Sequence, residues 1–264
     1  MSGGRDGLWS AVEVIRHAGY ALVPGLTHWL DELSPLNQAE AWALLHDEHV
    51  QSLLEKSPHQ RDQFFLNDDG GIDQTKSVAF AAKAEKSHLT VLENSEWISD
   101  LRLLPASVQE YFRRVNSFVR HVRRYLDEAM PRCENPTTVK VRIFRYLSSD
   151  LLVDLRQAET RTPLMKTHVD GSVITLVIAE SDGRLCCRLA GGDQPIGHKD
   201  GRPFAALIPG IAATHDFGLV PTPHCVLPNS EPRVSLTAFL TPILGHTAQA
   251  AAAALTRWRA RDVA

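Results

Sequence analysis

The chain has 264 residues, 44% of them hydrophobic, which suffices for one substantial core. Its 28 Lys and Arg against 31 Asp and Glu leave a formal net charge of −3, a balance that argues against a nucleic-acid or membrane-surface partner. No apolar run approaches the roughly 20 residues of a membrane span.

Residues 5–130 read mainly as helix. The stretch AEAWALLHDEHVQSLLEK (39–56) has apolar residues at helical spacing. SPHQRDQFFLNDDGGIDQ (57–74) is polar and rich in turn residues, and reads as loop. In ASVQEYFRRVNSFVRHVRRYLDEAM (106–130), Val108, Tyr111, Phe112, Val115, Phe118, Val119, Val122 and Leu126 recur on one broad helical face. After residue 137 the pattern changes to short strands. TVKVRIFRYL (138–147), SVITLVIA (172–179), RLCCRLA (184–190), FAALIP (204–209), HCVLP (224–228) and RVSLTAFL (233–240) have β-branched and aromatic content. The Gly- and Pro-rich segment 190–203 reads as a hairpin connection. The Ala-rich HTAQAAAAALTRWRARD (246–262) reads as a final helix.

Many short strands separated by turns predict a sandwich or jelly-roll barrel. The expected class is therefore α+β. A mainly helical region (1–137) covers a β core (138–241), a C-terminal helix (242–264) follows, and all of it forms one domain. The N-terminus, MSGGRDGLWSAVEVIRHAG, shows neither the continuous apolar stretch nor the small-residue cleavage site of a secretory signal. Cys133, Cys186, Cys187 and Cys225 include no CxxC pair, and adjacent Cys186 and Cys187 point to opposite faces of a strand. This is reduced, cytosolic usage rather than a disulfide framework, so a cytoplasmic location is expected.

The chemistry starts in LMKTHVDGS (164–172). Strand side chains alternate, so His168 and Asp170 share a face and can take adjacent positions around one metal. His224, at the start of a later strand, supplies a third ligand. Two imidazoles and a carboxylate leave three positions open on an octahedral iron(II), enough for a bidentate 2-oxo acid and then dioxygen. Arg233 and Ser235 share a face shortly after His224. A guanidinium fork plus a hydroxyl makes a clamp for a buried carboxylate. In RIFRYL (142–147), Arg142, Phe144 and Tyr146 also share a face. An inward Tyr146 would join that clamp, and Arg142 and Phe144 would line the same cavity.

HxD followed by a distant His, with RxS about ten residues further on, resembles the 2-oxoglutarate- and iron-dependent oxygenases of the isopenicillin-N-synthase-like type. The resemblance covers roughly residues 138–241. It implies a double-stranded β-helix core, iron at His168, Asp170 and His224, and the distal carboxylate of 2-oxoglutarate at Arg233 and Ser235. Tyr146 matches the family's Tyr on the strand before HxD. Dioxygen is the second co-substrate. The implied reaction oxidises an unactivated C–H bond of a small metabolite by hydroxylation, desaturation or cyclisation. Retention of Asp170 disfavours halogenation. Two features depart from the family pattern. Cys225 follows the distal His where the family often has Arg, and the polar insert GGDQPIGHKDG has no firm counterpart.

Alternatives stay open at this level. A same-fold iron oxidase could retain RxS without using 2-oxoglutarate. A non-catalytic β-helix sensor could bind metal alone, and a zinc hydrolase could use the same three ligands. A second HxD, His198-Lys199-Asp200, lies in a Gly/Pro-rich turn with no apolar strand behind it and is set aside. His46 and His49 read as a solvated helix face. Lys166 and Arg188 are candidate substrate contacts, with an exposed barrel rim as the competing reading for Lys166. Oligomeric state is not encoded in any pattern found.

Overall fold

A computed structural model describes residues 3–22, 43, 55–56, 63–66, 72–73, 86–94, 96–97, 104–129, 137–146, 165–181, 183–189, 191–197, 204–227 and 233–242. In chain order these form α1 (Gly3–Ala18), β1 (Ala21–Leu22), β2 (Glu55–Lys56), β3 (Gln63–Leu66), β4 (Ile72–Asp73), β5 (Lys86–Glu93), β6 (Glu96–Trp97), α2 (Ala106–Ala129), β7 (Thr137–Tyr146), β8 (Met165–Asp170), β9 (Ile174–Glu180), β10 (Leu185–Leu189), β11 (Gly192–Pro195), β12 (Ala206–Pro209), α3 (Ala212–Phe217), β13 (His224–Val226) and β14 (Arg233–Pro242).

The strands make two antiparallel sheets. The larger runs β1-β12-β9-β14-β7-β5-β2, with β6 added on β5, and the smaller runs β11-β10-β13-β8-β3-β4. Alternation along the strands explains how the layers stack. Val139, Val141 and Ile143 of β7 and Val234, Leu236, Ala238 and Leu240 of β14 pack in one cluster with the apolar faces of α1 and α2. The intervening Phe144 and Tyr146 turn the other way. They join Val177, Ala206 and Ile208 of the large sheet and Leu185, Cys187 and Val226 of the small one in a second cluster. The large sheet is thus sandwiched between helices and the small sheet, and β9, covered on both faces, is buried at all seven positions. That double coverage is why SVITLVIA reads as a near-continuous apolar run rather than an alternating one.

All eight apolar residues read as the face of α2 are buried, each contributing roughly 1.5–3 kcal/mol by removal from water. Helix α1 ends at Gly19, whose φ of 85° is the left-handed conformation that glycine adopts without strain. Its N–H closes on the Ile15 carbonyl at 2.9 Å.

The jelly-roll core is as expected, and the described residues of the first half carry short strands as well as the two helices α1 and α2. The segment read as loop contributes β3 and β4, which extend the small sheet beside β8. Lys86–Glu93 forms an eight-residue strand that pairs along β7. Glu55–Lys56, read as a helix end, is strand β2. Within 190–203, read as a connection, Gly192–Pro195 is itself a strand paired with β10. Of the helix expected over 39–56, Ala43 is helical; the rest of it up to residue 54, including His46 and His49, and the helix expected over 246–262 lie outside the described residues. No helix among the described residues is long and apolar enough to cross a membrane.

Candidate metal centre

Strands β8 and β13 pair with His168 directly opposite His224. Cross-strand partners share a face, so both imidazoles project into the space between the sheets, with ring centroids 4.3 Å apart. Asp170, two residues along β8, projects from the same face. His168 Nε2 lies 3.6 Å from Asp170 Oδ1, and His224 Nε2 lies 3.4 Å from Asp170 Oδ2. One ligand atom from each residue falls within 4.8 Å of the others, and all three residues are buried. Among the described residues this is the cluster able to hold a metal ion. Alternation turns Cys225 to the opposite face, and burial pushes its thiol up to about 12.

His224 and Asp170 are held from behind. The Thr222 carbonyl lies 3.1 Å from His224 Nδ1, so a proton on Nδ1 leaves Nε2 as the donor to a metal. The Thr222 hydroxyl donates to the carbonyl of Gly19, tying the end of α1 to this strand. Thr175 of β9 donates its hydroxyl to Asp170 Oδ2. Its only hydroxyl hydrogen is used there, so the 2.9 Å contact with Ser172 Oγ is donated by Ser172. For Asp170, burial is the largest effect and opposes ionisation. The charges and hydrogen bonds of His224 and His168 together outweigh it and hold the carboxyl well below its usual range. The carboxylate is therefore ionised and ready to bind a cation. Two imidazoles and an ionised carboxylate, fixed in orientation on one buried face, suit a divalent transition metal.

A cleft opens in front of these ligands, lined also by Phe144, Tyr146, Arg233 and Ser235. In β14, Arg233 and Ser235 stand opposite Tyr146 and Phe144 of β7. The Arg233 guanidinium lies 4.8 Å from the centre of the Tyr146 ring. Burial, partly offset by that guanidinium, pushes the Tyr146 phenol up to about 12 and keeps it neutral. Ser235 Oγ is 3.2 Å from Thr237 Oγ1. Val177, Leu185, Val226 and Phe239 complete the wall, giving a few convergent polar groups in an apolar frame.

Of the residues read as candidate substrate contacts, Phe144 lines the cleft. Arg142 sits further along the same face of β7, with its guanidinium 5.5 Å from the centre of the Phe239 ring. Arg188 does not reach the cleft. It is exposed and bonded to Asp193 across the β10–β11 hairpin at 2.9 Å, because β10 turns Cys187 inward and its neighbour outward. Lys166 lies in β8, but its side chain is outside the described residues.

Two residues in contact with the candidate site, Thr175 and Glu180, escaped the sequence reading. Thr175 was visible as a polar residue of odd parity inside an apolar run. Glu180 ends the same run and is wholly buried, ion-paired with Arg233. Its inward orientation depends on a local irregularity in strand pairing that residue types do not announce.

No protein-family profile matches the chain, and no curated protein matches its sequence. Solved structures do match in shape. The chain is similar to the rice dioxygenase for auxin oxidation (TM-score 0.58, 16% identity, covering 91% of this chain and 79% of that one). It is similar to JOX2 in complex with 2OG, Fe and JA (TM-score 0.56, 14% identity, 92% of this chain and 73% of that one). It is also similar to a full-length Neurospora crassa protein in complex with alpha-KG (TM-score 0.55, 16% identity, 90% of this chain and 80% of that one). The two-sheet core and its helical cover give this chain the fold of the 2-oxoglutarate- and iron-dependent dioxygenases.

Proposed function

We propose that the protein is an iron(II)-dependent dioxygenase, of the isopenicillin-N-synthase-like type, that uses 2-oxoglutarate to oxidise a C–H bond of a small molecule. One observation carries this reading: His168, Asp170 and His224 converge on a buried point of a cleft that Arg233, Ser235 and Tyr146 also line. Neighbours of the same fold were crystallised with 2OG and iron, or with alpha-KG and thymine, which supports both the metal and a small-molecule substrate.

Bound iron, with a 2-oxo acid and dioxygen, would supply oxidation coupled to decarboxylation. This chain's residues do the rest. His168, Asp170 and His224 would hold the ion at the head of the cleft. Thr175 and Thr222 keep Asp170 and His224 in register with the metal. Arg233 and Ser235 receive the distal end of the 2-oxo acid, and Tyr146 covers the guanidinium. Phe144, Val177, Leu185, Val226 and Phe239 exclude water from the reacting centre. Arg142, further along the same face of β7, is suited to an acidic group on the substrate, such as the carboxylate of an amino acid or a biosynthetic intermediate.

The test is succinate release from 2-oxoglutarate by the iron-loaded protein across a panel of small metabolites. A substrate that stimulates succinate release, with none from His168→Ala, supports the reading. Substrate oxidation without succinate would point instead to an oxidase that does not use 2-oxoglutarate.

A further inference from the structure

Strand β9, ITLVIAE, is buried throughout and ends in a carboxylate with no exposed surface. Position parity should turn Glu180 toward the helices, as it does Ile174, Leu176 and Ile178. It does not, because the pairing with β14 slips. Thr237 stands opposite Val177 but Leu236 stands opposite Ala179, leaving Ile178 as an extra residue. Ile178 and Ala179 both join the helix-side cluster. A bulge of this kind re-aims the side chains that follow it. Glu180 therefore lands opposite Ser235, on the face of the site.

The chain builds a recess for this carboxylate. Glu180 Oε2 takes a short charged hydrogen bond from Arg233 Nη2 and another, at 3.3 Å, from the Leu185 N–H. Gly197 leaves room for it, since a Cβ there would fall 1.4 Å from Glu180 Oε1. Arg233 lines the cleft and Glu180 does not, so the carboxylate lies behind the guanidinium as seen from the cleft. The clamp residue thus faces the cleft with its charge already offset by a buried counter-ion. Inside a protein, where charges are poorly screened, the attraction for an incoming carboxylate follows the net local charge.

We propose that Glu180 is a positioning residue that sets co-substrate specificity. It turns Arg233 into a neutral clamp that holds a 2-oxo acid by hydrogen bonding and apolar contact rather than by charge. The site then accepts 2-oxo acids with an uncharged tail nearly as well as 2-oxoglutarate. This rests on the iron and 2-oxo acid reading above.

The experiment titrates the anaerobic iron(II)-loaded full chain with 2-oxoglutarate and with 2-oxopentanoate, which has the same five-carbon chain and no distal charge. The visible charge-transfer band of the chelated 2-oxo acid reports binding, and a thermal shift checks it. In the wild type the two dissociation constants fall within about tenfold, or about 1.4 kcal/mol. Glu180→Gln keeps the shape and removes the charge. It tightens 2-oxoglutarate by about tenfold or more and leaves 2-oxopentanoate within about threefold, a change of ratio that loss of packing alone would not produce. A wild-type preference for 2-oxoglutarate above about 100-fold overturns the proposal and leaves the dioxygenase reading standing. So does a ratio that Glu180→Gln fails to move. Should Glu180→Gln fail to fold, the wild-type ratio decides alone. If neither acid binds to the iron-loaded chain, the dioxygenase reading falls and this proposal with it.

Discussion

Thr175→Val removes one oxygen from the site at nearly constant volume. The lost group is the donor to Asp170 Oδ2, and it is also the acceptor for Ser172. Asp170 is buried and ionised, so the missing bond is a charge-assisted one, worth about 1.5–3 kcal/mol. Loss of an outer partner of a metal ligand lowers metal affinity by about 10- to 100-fold. Part of the loss falls on the apo fold, because Ser172 Oγ is buried too. Metal affinity of the variant, measured by anaerobic iron(II) or manganese(II) titration, is therefore expected to drop about 10- to 100-fold, with the apo melting temperature lowered by a few degrees. Thr175→Ser restores the hydroxyl and should recover most of the affinity. A Thr175→Val protein that binds metal within about threefold of wild type, with an intact fold, would refute the idea that Thr175 orients Asp170.

Two further perturbations follow from the packing. At Gly210 a Cβ would lie 2.1 Å from the Ser172 carbonyl and 2.8 Å from that of Asp170, backbone atoms that cannot swing aside. Gly210→Ala should cost about 2 kcal/mol or more of stability by overpacking and weaken metal binding, both readable by thermal melts with and without metal. Arg233→Met leaves Glu180 buried without its counter-ion and should destabilise the apo chain by about 3–5 kcal/mol. The double variant Arg233→Met, Glu180→Leu should recover most of that loss in chemical denaturation.

Strands carried by β-branched and apolar runs were legible, and β7, β9, β10, β12, β13 and β14 lie where such runs occur. So was the buried face of α2, because its period is sustained over the whole helix. The first-half strands were not legible. KSHLTVLE mixes polar and apolar residues, and its pairing with β7 shifts register between Thr90 and Leu92, which breaks the alternation a sequence reading depends on. QFFL and ID are too short to stand out; QFFL is a strand because β8 offers it an edge, and ID because β3 does in turn. The candidate metal ligands could be picked from spacing because HxD fixes two of them locally and β13 pairs beside β8. Glu180 could not, because one bulged residue decides which way it points. Arg188 looked plausible only while the facing of β10 was unknown.

The most direct test of the account is the spectrum of the apo protein titrated anaerobically with iron(II) in the presence of 2-oxoglutarate. The account predicts a weak visible charge-transfer band that saturates at one iron per chain and is absent in His168→Ala. No band in the wild type, or an equal band in His168→Ala, would contradict the assignment of His168, Asp170 and His224 as the iron site.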